Sequence, residues 1–317
     1  MKKILFISRH KHDRYDDQSV ELTYWYGVFE KLNYEVIYQD AKNIDWETFY
    51  NQVADYNPDY IFTFNMFHHT DSEMRNFNTL REIGKLYLIQ TDMIKFYHTA
   101  KLWFPYIDGI INYEGLLDRC IQDGLPENKF LKIRWGFNPN TMVFNQSENK
   151  EGIYHYGGLH GGRHELLINL KNKYNIDVGV TNDINYQQVK QYLQNSKYSL
   201  SFSMGSTLER RELKGRVIEI PAHSVMLSET APDIELYYDE TEYINFKDLS
   251  ELSEKIKYYD NNTEEYLKIL HNGKKAIWGR NTIYHEMNQL LPKIDDDFNP
   301  IDVKELLKEN YKDYYYE

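Results

Sequence analysis

Residues 208–229 read LERRELKGRVIEIPAHSVMLSE and place three chemical features in one short stretch. Basic side chains come first, and a single carboxylate, Glu219, lies in the apolar run that follows them. Small residues after Pro221 then lead into a β-like segment that starts at Val225. This order predicts a helix end and a small-residue turn before a strand, with cations on the approach. The basic residues are Arg210, Arg211, Lys214 and Arg216.

These features suit a ligand that has phosphates at one end and hydroxyls at the other. Backbone N–H groups at a turn bind a diphosphate when the side chains are small, as they are at Ala222 and Ser224. Guanidinium groups suit phosphate oxygens, and a carboxylate such as Glu219 accepts from both hydroxyls of a ribose. Nucleotide sugars have this shape. The alternative is a solvated basic face with Glu219 exposed on a helix, and both interpretations stay open here.

A second informative stretch, GGLHGGRH, occupies residues 157–164 between a predicted strand and a predicted helix. Its glycines let a ligand approach the backbone closely, and Arg163 enters the first helical turn, where an anion would be held. The spacing is not the GxGxxG fingerprint of dinucleotide-binding proteins, and the Gly-Lys-Ser/Thr ending of a P-loop is missing. A glycine-rich turn without a ligand is the alternative. The glycines are Gly157, Gly158, Gly161 and Gly162.

The first half of the chain alternates short apolar segments with amphipathic ones. Strands that alternate with helices are typical of an open, mostly parallel, doubly wound sheet. The strands are predicted at residues 2–7, 34–39, 60–64, 85–91 and 107–112, and the helices at 19–32, 46–56, 73–83 and 114–122.

The same alternation starts again at residue 152, after a polar linker. A chain of 317 residues is long for one core. The predicted fold class is therefore α/β, with two Rossmann-like doubly wound domains that face each other across a cleft. The predicted boundaries are 1–148 for the first domain, 149–294 for the second, and 295–317 for a C-terminal helix and tail. Strands are predicted at 152–158, 176–181, 198–203, 225–228 and 243–246, and helices from 163, at 186–194 and 248–259, from 263, and at 302–310.

Composition and charge narrow the kinds of partner. The formal charge of −12 disfavours DNA as a partner or acceptor, because binding to its phosphate backbone needs many Lys and Arg side chains. The single cysteine excludes an intrachain disulfide and a cysteine-cluster metal site. No apolar run approaches the roughly 20 residues of a membrane span, and the first apolar run is too short for a signal peptide. We therefore expect a cytoplasmic protein without a membrane span.

Two histidines that follow a predicted strand are candidates for a catalytic base. His68 and His69 come shortly after the strand at residues 60–64. Ligands of open α/β sheets bind at the carboxyl ends of the strands, so either imidazole is placed to accept a proton from a substrate hydroxyl. Exposed loop histidines are the alternative. Adjacent histidines lack the spacing of helical metal ligands, and the acidic run at residues 295–297 is interpreted as a solvated linker, so no metal site is predicted.

Four segments make the second half of the chain similar to the donor-binding domain of GT-B glycosyltransferases, in particular the group that resembles the spore maturation protein CgeB. The first half resembles a GT-B acceptor domain in its β-α alternation. The four segments read YHYGGLHGGRHELL (154–167), KGRVIEIPAHSVMLSE (214–229), YINFKDLSELSEKIKYY (243–259) and IYHEMNQLL (283–291).

The resemblance implies a metal-independent cytoplasmic enzyme of the hexosyltransferase type. It would move a sugar from a UDP- or GDP-linked donor to a glycan, protein or small-molecule acceptor, with no cofactor beyond that donor. Glu219 corresponds to the carboxylate that holds the ribose hydroxyls, and Arg163 and Arg216 to catalytic cations beside the departing diphosphate. The donor-binding positions carried over are Gly157, Gly158, Gly161, Arg163, Arg211, Arg216, Glu219, Ala222, His223, Ser224 and Val225.

Two positions motivate other classes of function. Many retaining relatives carry a glutamate eight residues before the ribose-binding one, where this chain has Arg211, and a glycine in the small turn, where it has His223. A GT-B-like binding or scaffold protein without catalysis is therefore one alternative, and an epimerase acting on the nucleotide sugar is another. An inverting transferase would need a base, for which His68, His69 and Asp92 are candidates, whereas a retaining one needs only positioning.

Overall fold

The computed structural model describes most of the chain, and the chain divides into two compact units. The first contains Met1–His12, Asp17–Arg134 and Glu286–Pro300, and the second contains Asp13–Asp16, Trp135–His285 and Ile301–Glu317. The described residues are 1–8, 20–40, 44–64, 71–90, 102, 104–113, 122, 124, 126–145, 147, 150–159, 162–181, 186–203, 213–231 and 233–315.

A parallel sheet lies at the centre of the first unit. Its strands are β1 (Lys3–Ser8), β2 (Glu35–Asp40), β3 (Tyr60–Phe64), β4 (Lys85–Gln90), β5 (Gly109–Asn112) and β6 (Phe130–Lys132). Within the described residues they are ordered β2-β1-β3-β4-β5-β6, and every neighbouring pair is parallel. The helices that the structure describes in this unit are α1 (Val20–Thr23), α2 (Val28–Lys31), α3 (Trp46–Tyr56) and α4 (Asp71–Ile83), with short 3-10 helices at Phe104–Tyr106 and Glu127–Lys129.

Apolar side chains on both faces of the strands explain why this sheet is buried. The five residues of β3 read YIFTF, and all of them are buried. Phe62 stacks on Phe6 of β1 with ring centroids 6.2 Å apart, and Trp25 and Phe29 cover the same rings. Near-continuous apolar strands are typical of a parallel sheet that is covered on both faces.

The prediction of one continuous helix at residues 19–32 is wrong. The structure has two short helices, α1 and α2, and Gly27 lies between them in a left-handed conformation with φ 72°. The Gly27 N–H donates to the Tyr38 hydroxyl at 2.9 Å. A left-handed residue cannot continue an α-helix, so the apolar periodicity is shared between two helices. The helix predicted at 114–122 lies almost entirely outside the described residues.

A second parallel sheet forms the centre of the second unit. Its strands are β7 (Glu151–Tyr156), β8 (Val178–Thr181), β9 (Ser196–Ser201), β10 (Val225–Glu229) and β11 (Ile244–Phe246). The remaining helices in the described residues are α5 (Pro139–Met142), α6 (Arg163–Tyr174), α7 (Tyr186–Asn195), α8 (Arg216–Glu219), α9 (Leu249–Asn261), α10 (Thr263–Arg280), α11 (Ile283–Leu290) and α12 (Val303–Asn310), with short 3-10 helices at Ile234–Leu236 and Leu291–Lys293. In the part of the chain that the structure describes, no helix is long and apolar enough to cross a membrane.

The order of the second sheet creates a switch point beside β7. The described strands are ordered β11-β10-β9-β7-β8, and all neighbouring pairs are parallel. The chain passes from β7 to β8 in one direction and then returns to add β9 on the other side of β7. Ligands of doubly wound sheets bind at the carboxyl ends of the strands where this direction reverses. The predicted α/β fold with two parallel sheets is confirmed.

The boundaries of the two units differ from those predicted for the two domains. Residues 135–148, predicted as the end of the first domain, belong to the second unit, where Phe137 forms a β-bridge with Thr282. The segment Glu286–Pro300 belongs to the first unit, where the carboxylate of its first residue accepts from Nη2 of Arg134 at 2.7 Å. Pairing between residues far apart in sequence decides both assignments.

Asp295 departs from the solvated linker predicted for residues 295–297. Its side chain is only 3% exposed; it accepts from the Tyr34 hydroxyl at 2.7 Å and forms an ion pair with Lys2. Burial disfavours the charged carboxylate, but the hydrogen bonds from Lys2 and Tyr34 outweigh burial and hold the pKa of Asp295 below its usual value. This acidic side chain therefore stabilises the first unit.

Candidate functional site

The loop after β7 begins the candidate site, at the switch point of the second sheet. β7 ends at Tyr156, and Gly157 follows with φ 106°, a conformation that other residues rarely adopt. A Cβ atom at Gly157 would collide with Nη1 of Arg216. The glycine therefore allows the guanidinium of Arg216 to reach the end of the strand.

Arg216 supplies a buried cation at the end of β7. It is the first residue of α8 and is 9% exposed. Its Nη1 donates to the Tyr156 carbonyl at 2.8 Å, and its Cζ lies 5.9 Å from the centroid of the Tyr156 ring. An aromatic face stabilises a nearby guanidinium electrostatically, so both contacts help to fix the cation.

Glu219 lies at the other end of the same short helix and is 5% exposed. Its Oε2 accepts from the Tyr156 hydroxyl at 2.5 Å. Tyr156 thus contacts both functional groups of α8, through its carbonyl and through its hydroxyl. The sequence reasoning missed Tyr156, because an aromatic residue at a strand end is typical of a core. Its place directly before the glycines at 157 and 158 is the signal that would have identified it.

Arg163 supplies a second cation across the glycine loop. α6 begins at Arg163, directly after Gly162, which has φ 80°. Arg163 is 6% exposed, and its Nη1 donates to the Gly158 carbonyl at 2.9 Å. The N-terminal end of the helix dipole adds positive potential at the same place. The loop after β7 is therefore suited to an anion.

His155, on β7, shows how positive this region is. It is fully buried, and its Nδ1 lies 3.1 Å from the Leu200 carbonyl. Burial, followed by the guanidinium groups of Arg216 and Arg163, lowers the pKa of His155 to about 3, although the Leu200 contact opposes the shift. The imidazole is therefore neutral near pH 7, and its Nδ1–H donates to Leu200. The arginines remain the charged groups beside it.

In the turn after α8, backbone amide groups form hydrogen bonds within the turn itself. The N–H groups of His223 and Ser224 both donate to the Ile220 carbonyl, at 2.9 and 2.8 Å respectively. The hydroxyl of Ser224 lies 2.9 Å from that of Ser199 on β9, and Val225 begins β10 as a buried residue. These two amides belong to the turn that was predicted to bind a diphosphate, and both donate within the turn.

Ala222 and His223 line a pocket to which the loop after β7 does not contribute. The His223 ring stacks on Phe144 with centroids 3.9 Å apart, and its Nε2 lies 2.9 Å from the Met142 carbonyl. Burial, with a smaller contribution from Lys150, holds the pKa of His223 well below its usual value. The neutral ring therefore donates from Nε2–H to Met142.

Some predicted site residues lie outside the described residues. They are His68, His69, Gly161 and Arg211, and Asp92 lies outside as well. Their roles stay predictions. Within the described residues, no group of three or more His, Cys, Asp and Glu side chains is arranged to hold a metal ion.

A family match covers the residues gathered at the end of β7. Residues 155–292 match the model of a family described as glycosyl transferase-like. The matched segment begins at His155 and includes the glycine loop, α8 and the turn that follows it. No curated protein matches the sequence of the chain.

Solved structures with a similar fold extend over nearly the whole chain. HepE from Anabaena, solved with UDP-glucose, has a TM-score of 0.61 at 12% identity, over 93% of this chain and 100% of that one. Sucrose-phosphate synthase from Thermosynechococcus elongatus has a TM-score of 0.59 at 12% identity, over 93% and 99%. An α-glucosyltransferase solved with UDP and a 13-mer DNA containing a HMU base has a TM-score of 0.65 at 11% identity, over 92% and 99%.

Fold and family agree on one classification. Identities this low show a common fold, and the family match adds a relationship in sequence over the second sheet and its loops. The predicted resemblance to GT-B glycosyltransferases is confirmed at this level, and the CgeB-like group stays a prediction. The chain therefore has the GT-B glycosyltransferase fold, and its residues 155–292 match the model of the glycosyl transferase-like family.

Proposed function

We propose that this protein is a CgeB-like glycosyltransferase that moves a hexosyl group from a UDP- or GDP-linked donor to an acceptor, without an obligatory metal. The observation that carries the proposal is the meeting of Arg216 and Glu219 on Tyr156, with Arg163 across the glycine loop. Similar folds solved with UDP or UDP-glucose make a uridine nucleotide the first donor to test.

The donor is proposed to lie along the loop after β7. Glu219 accepts hydrogen bonds from the ribose hydroxyls, because the two oxygens of a carboxylate together offer about four lone-pair sites. The diphosphate lies toward Arg216 and Arg163, whose guanidinium groups match phosphate oxygens in geometry and charge. The nucleotide is thus held at both ends by side chains that the fold keeps in place.

The same arginines account for the transfer step. As the bond between the anomeric carbon and the diphosphate oxygen breaks, positive charge grows on the sugar ring and negative charge on the leaving diphosphate. Arg216 and Arg163 stabilise that negative charge most in the transition state, and burial reduces screening by water. An acceptor hydroxyl oxygen forms the new bond, and its proton leaves to a base, for which His68 and His69 stay candidates. Fixed cations replace a metal ion in this scheme.

The acceptor is proposed to be a glycan, a protein or a small molecule. One structure of similar fold contains DNA, but the formal charge of −12 works against a DNA acceptor for this chain. We assign the acceptor to the first unit, the donor to the second, and the protein to the cytoplasm, as the GT-B resemblance implies.

Nucleotide binding by the purified protein tests the proposal. Thermal unfolding is followed with UDP, GDP, dTDP, ADP and CMP, each with Mg²⁺ and with EDTA, because a ligand that binds only the folded state raises the Tm. We expect a rise with UDP or GDP that does not depend on Mg²⁺ and that is lost in Glu219→Gln. Glu254→Gln changes an exposed carboxylate on α9 and is the matched control. No rise with any diphosphate would contradict the proposal.

A nucleotide-sugar-binding protein without transfer activity is the second candidate. The turn after α8 favours it, because the His223 and Ser224 amides donate to the Ile220 carbonyl. Turnover separates the two candidates. Release of UDP or GDP from the corresponding sugar nucleotide, faster than without protein, supports the transferase, whereas tight binding without release supports the second candidate.

A further inference from the structure

A pocket lies in the second unit, beside the turn after α8. Its volume is about 200 Å³, and four segments contribute to its lining. These segments are the linker before β7, the turn itself, α10, and the residues after α12. None of the side chains gathered at the end of β7 lines it, whereas Ala222 and His223, which the GT-B resemblance assigns to donor binding, do.

Aromatic rings form much of the pocket wall. Phe144 stacks on the His223 ring, and Trp278 of α10 is 4% exposed. Tyr314 is 43% exposed, and Asp313 beside it is exposed too, so the pocket opens to solvent at this segment. A flat ring entering from that side meets aromatic faces, which gain from stacked or edge contacts.

Two lysines bring positive charge to the same pocket. Lys274 of α10 lines it, and Nζ of Lys150 donates to the carbonyl of His223 in its wall. Burial, followed by repulsion from Lys274, lowers the pKa of Lys150 to about 7, and burial also lowers the pKa of Lys274. An anion close to two such amines favours their charged forms and relieves the repulsion between them.

We propose that this pocket binds a small ring-bearing anion, namely one flat ring that carries a carboxylate or phosphate group. The ring packs against Phe144, Trp278 and Tyr314, and the anionic group meets Lys274, with Lys150 close by. A volume of about 200 Å³ is smaller than the ~300–1,000 Å³ of typical drug-sized ligand pockets, so one ring fits and a whole nucleotide does not. This site does not depend on the proposed function.

Calorimetric titration with four probes tests the chemistry. Phenyl phosphate and benzoate carry both ring and charge, inorganic phosphate carries only the charge, and benzyl alcohol carries only the ring. We expect both ring-bearing anions to bind at least about tenfold more tightly than the corresponding partial probes. Failure of both ring-bearing anions to bind at millimolar concentration, or equal affinity for a partial probe, would overturn the proposal.

Variants locate the binding. Lys274→Met keeps the length of the side chain and removes its charge, and should weaken both ring-bearing anions about tenfold or more. Lys275→Met changes the exposed neighbour on α10 and should bind like the wild type. Unchanged affinity in Lys274→Met would overturn the proposal. If Lys274→Met does not fold, Asp313→Asn is tested instead. Removing this carboxylate at the pocket opening should tighten the binding of both ring-bearing anions.

The affinity should also depend on pH in one direction. Among the described residues, the charged and titratable groups at the pocket are Lys150, Lys274, His223, Asp313 and Tyr314. A bound anion favours the ammonium form of Lys150, so affinity should fall as the pH rises from 7 to 9. Burial keeps the pKa of His223 well below this range, so its ring stays neutral throughout. An affinity that does not fall with pH would overturn the part assigned to Lys150.

Discussion

Two neighbouring parts of residues 216–224 make different contacts. Arg216 and Glu219 contact Tyr156 at the end of β7, whereas His223, four residues later, contacts the linker before β7. All are buried, and all belong to the segment that the sequence alone presents as one motif. The difference shows that a motif supplies candidate side chains, while the elements packed against it select which of them can meet a given ligand.

The largest effect is expected from Gly157→Ala, which would break the first set of contacts. An alanine rarely adopts φ 106°, and its Cβ would collide with Nη1 of Arg216. The displaced guanidinium should lower kcat by about 10²–10³-fold, the loss usually seen when a donor to transition-state charge is removed. Steady-state kinetics with the donor that raises the Tm measures the change.

Gly279→Ala, on α10, is the matched control for this glycine. Among the described residues, and apart from its chain neighbours and the backbone of its own helix, no heavy atom lies within 4 Å of the position that its Cβ would take. Its kcat should equal that of the wild type. Wild-type kcat in Gly157→Ala would show that Arg216 does not need the close approach at the end of β7.

The next largest effect is expected from Arg216→Lys, which keeps the charge and loses the planar fork. A lysine cannot donate to the Tyr156 carbonyl and match phosphate oxygens in the same way. We expect kcat to fall about 10–100-fold with a smaller change in KM, as for an interaction made mainly in the transition state. Arg81→Lys in the first unit is the control. A higher KM at unchanged kcat would assign Arg216 to ground-state binding instead.

A smaller effect is expected from Tyr156→Phe. The variant keeps the ring and the carbonyl beside Arg216 and loses only the hydroxyl that donates to Glu219. We expect the Kd of the nucleotide to rise about five- to tenfold. The lost hydrogen bond affects the nucleotide only through the position of Glu219, so its loss should cost less than the ~1.5–3 kcal/mol that a direct hydrogen bond to a charged group contributes. Tyr154→Phe, two residues earlier on β7, is the control. An unchanged Kd in Tyr156→Phe would show that Glu219 holds its position without the tyrosine.

The smallest effect is expected in the pH dependence of stability, and it concerns Lys150, which donates to the carbonyl of His223. The pKa of Lys150 is lowered from 10.5 to about 7 in the folded protein. Between these values the unfolded chain binds a proton that the folded chain does not, so this lysine makes stability rise with pH. The Tm of Lys150→Met relative to the wild type should therefore fall from pH 7 to pH 10. For the exposed control Lys257→Met, the difference in Tm from the wild type should not change between pH 7 and pH 10. A constant difference for Lys150→Met as well would contradict the prediction that burial lowers the pKa of Lys150.

Local signals predicted several elements to the residue. α3 and β3 have the predicted bounds, because Asn57 ends the helix in a left-handed conformation and Pro58 prevents its continuation. The break at Gly27 was not predictable in the same way. A glycine inside an amphipathic pattern is compatible with a helix, and only the contact with Tyr38 on β2 shows the break.

Side-chain chemistry predicted part of the site. Arg163, Arg216 and Glu219 were selected because phosphates and ribose hydroxyls need such groups, and the fold places all three near the end of β7. Tyr156 was missed because its role depends on two partners 60 and 63 positions away in sequence. The contacts of His223 were missed because its partners lie in the linker before β7.

Periodicity, turn residues and side-chain type are local properties. They were enough to predict the alternation of strands and helices, the doubly wound α/β class and the chemistry of the candidate cations and carboxylate. Three features arise only in the tertiary structure. They are the strand order that puts the switch point beside β7, the burial of Asp295, and the separation of Arg216 and Glu219, at the end of β7, from His223, which lines a pocket. Each of these depends on contacts between distant segments. Such contacts form only when whole sheets and helices bury their apolar faces together.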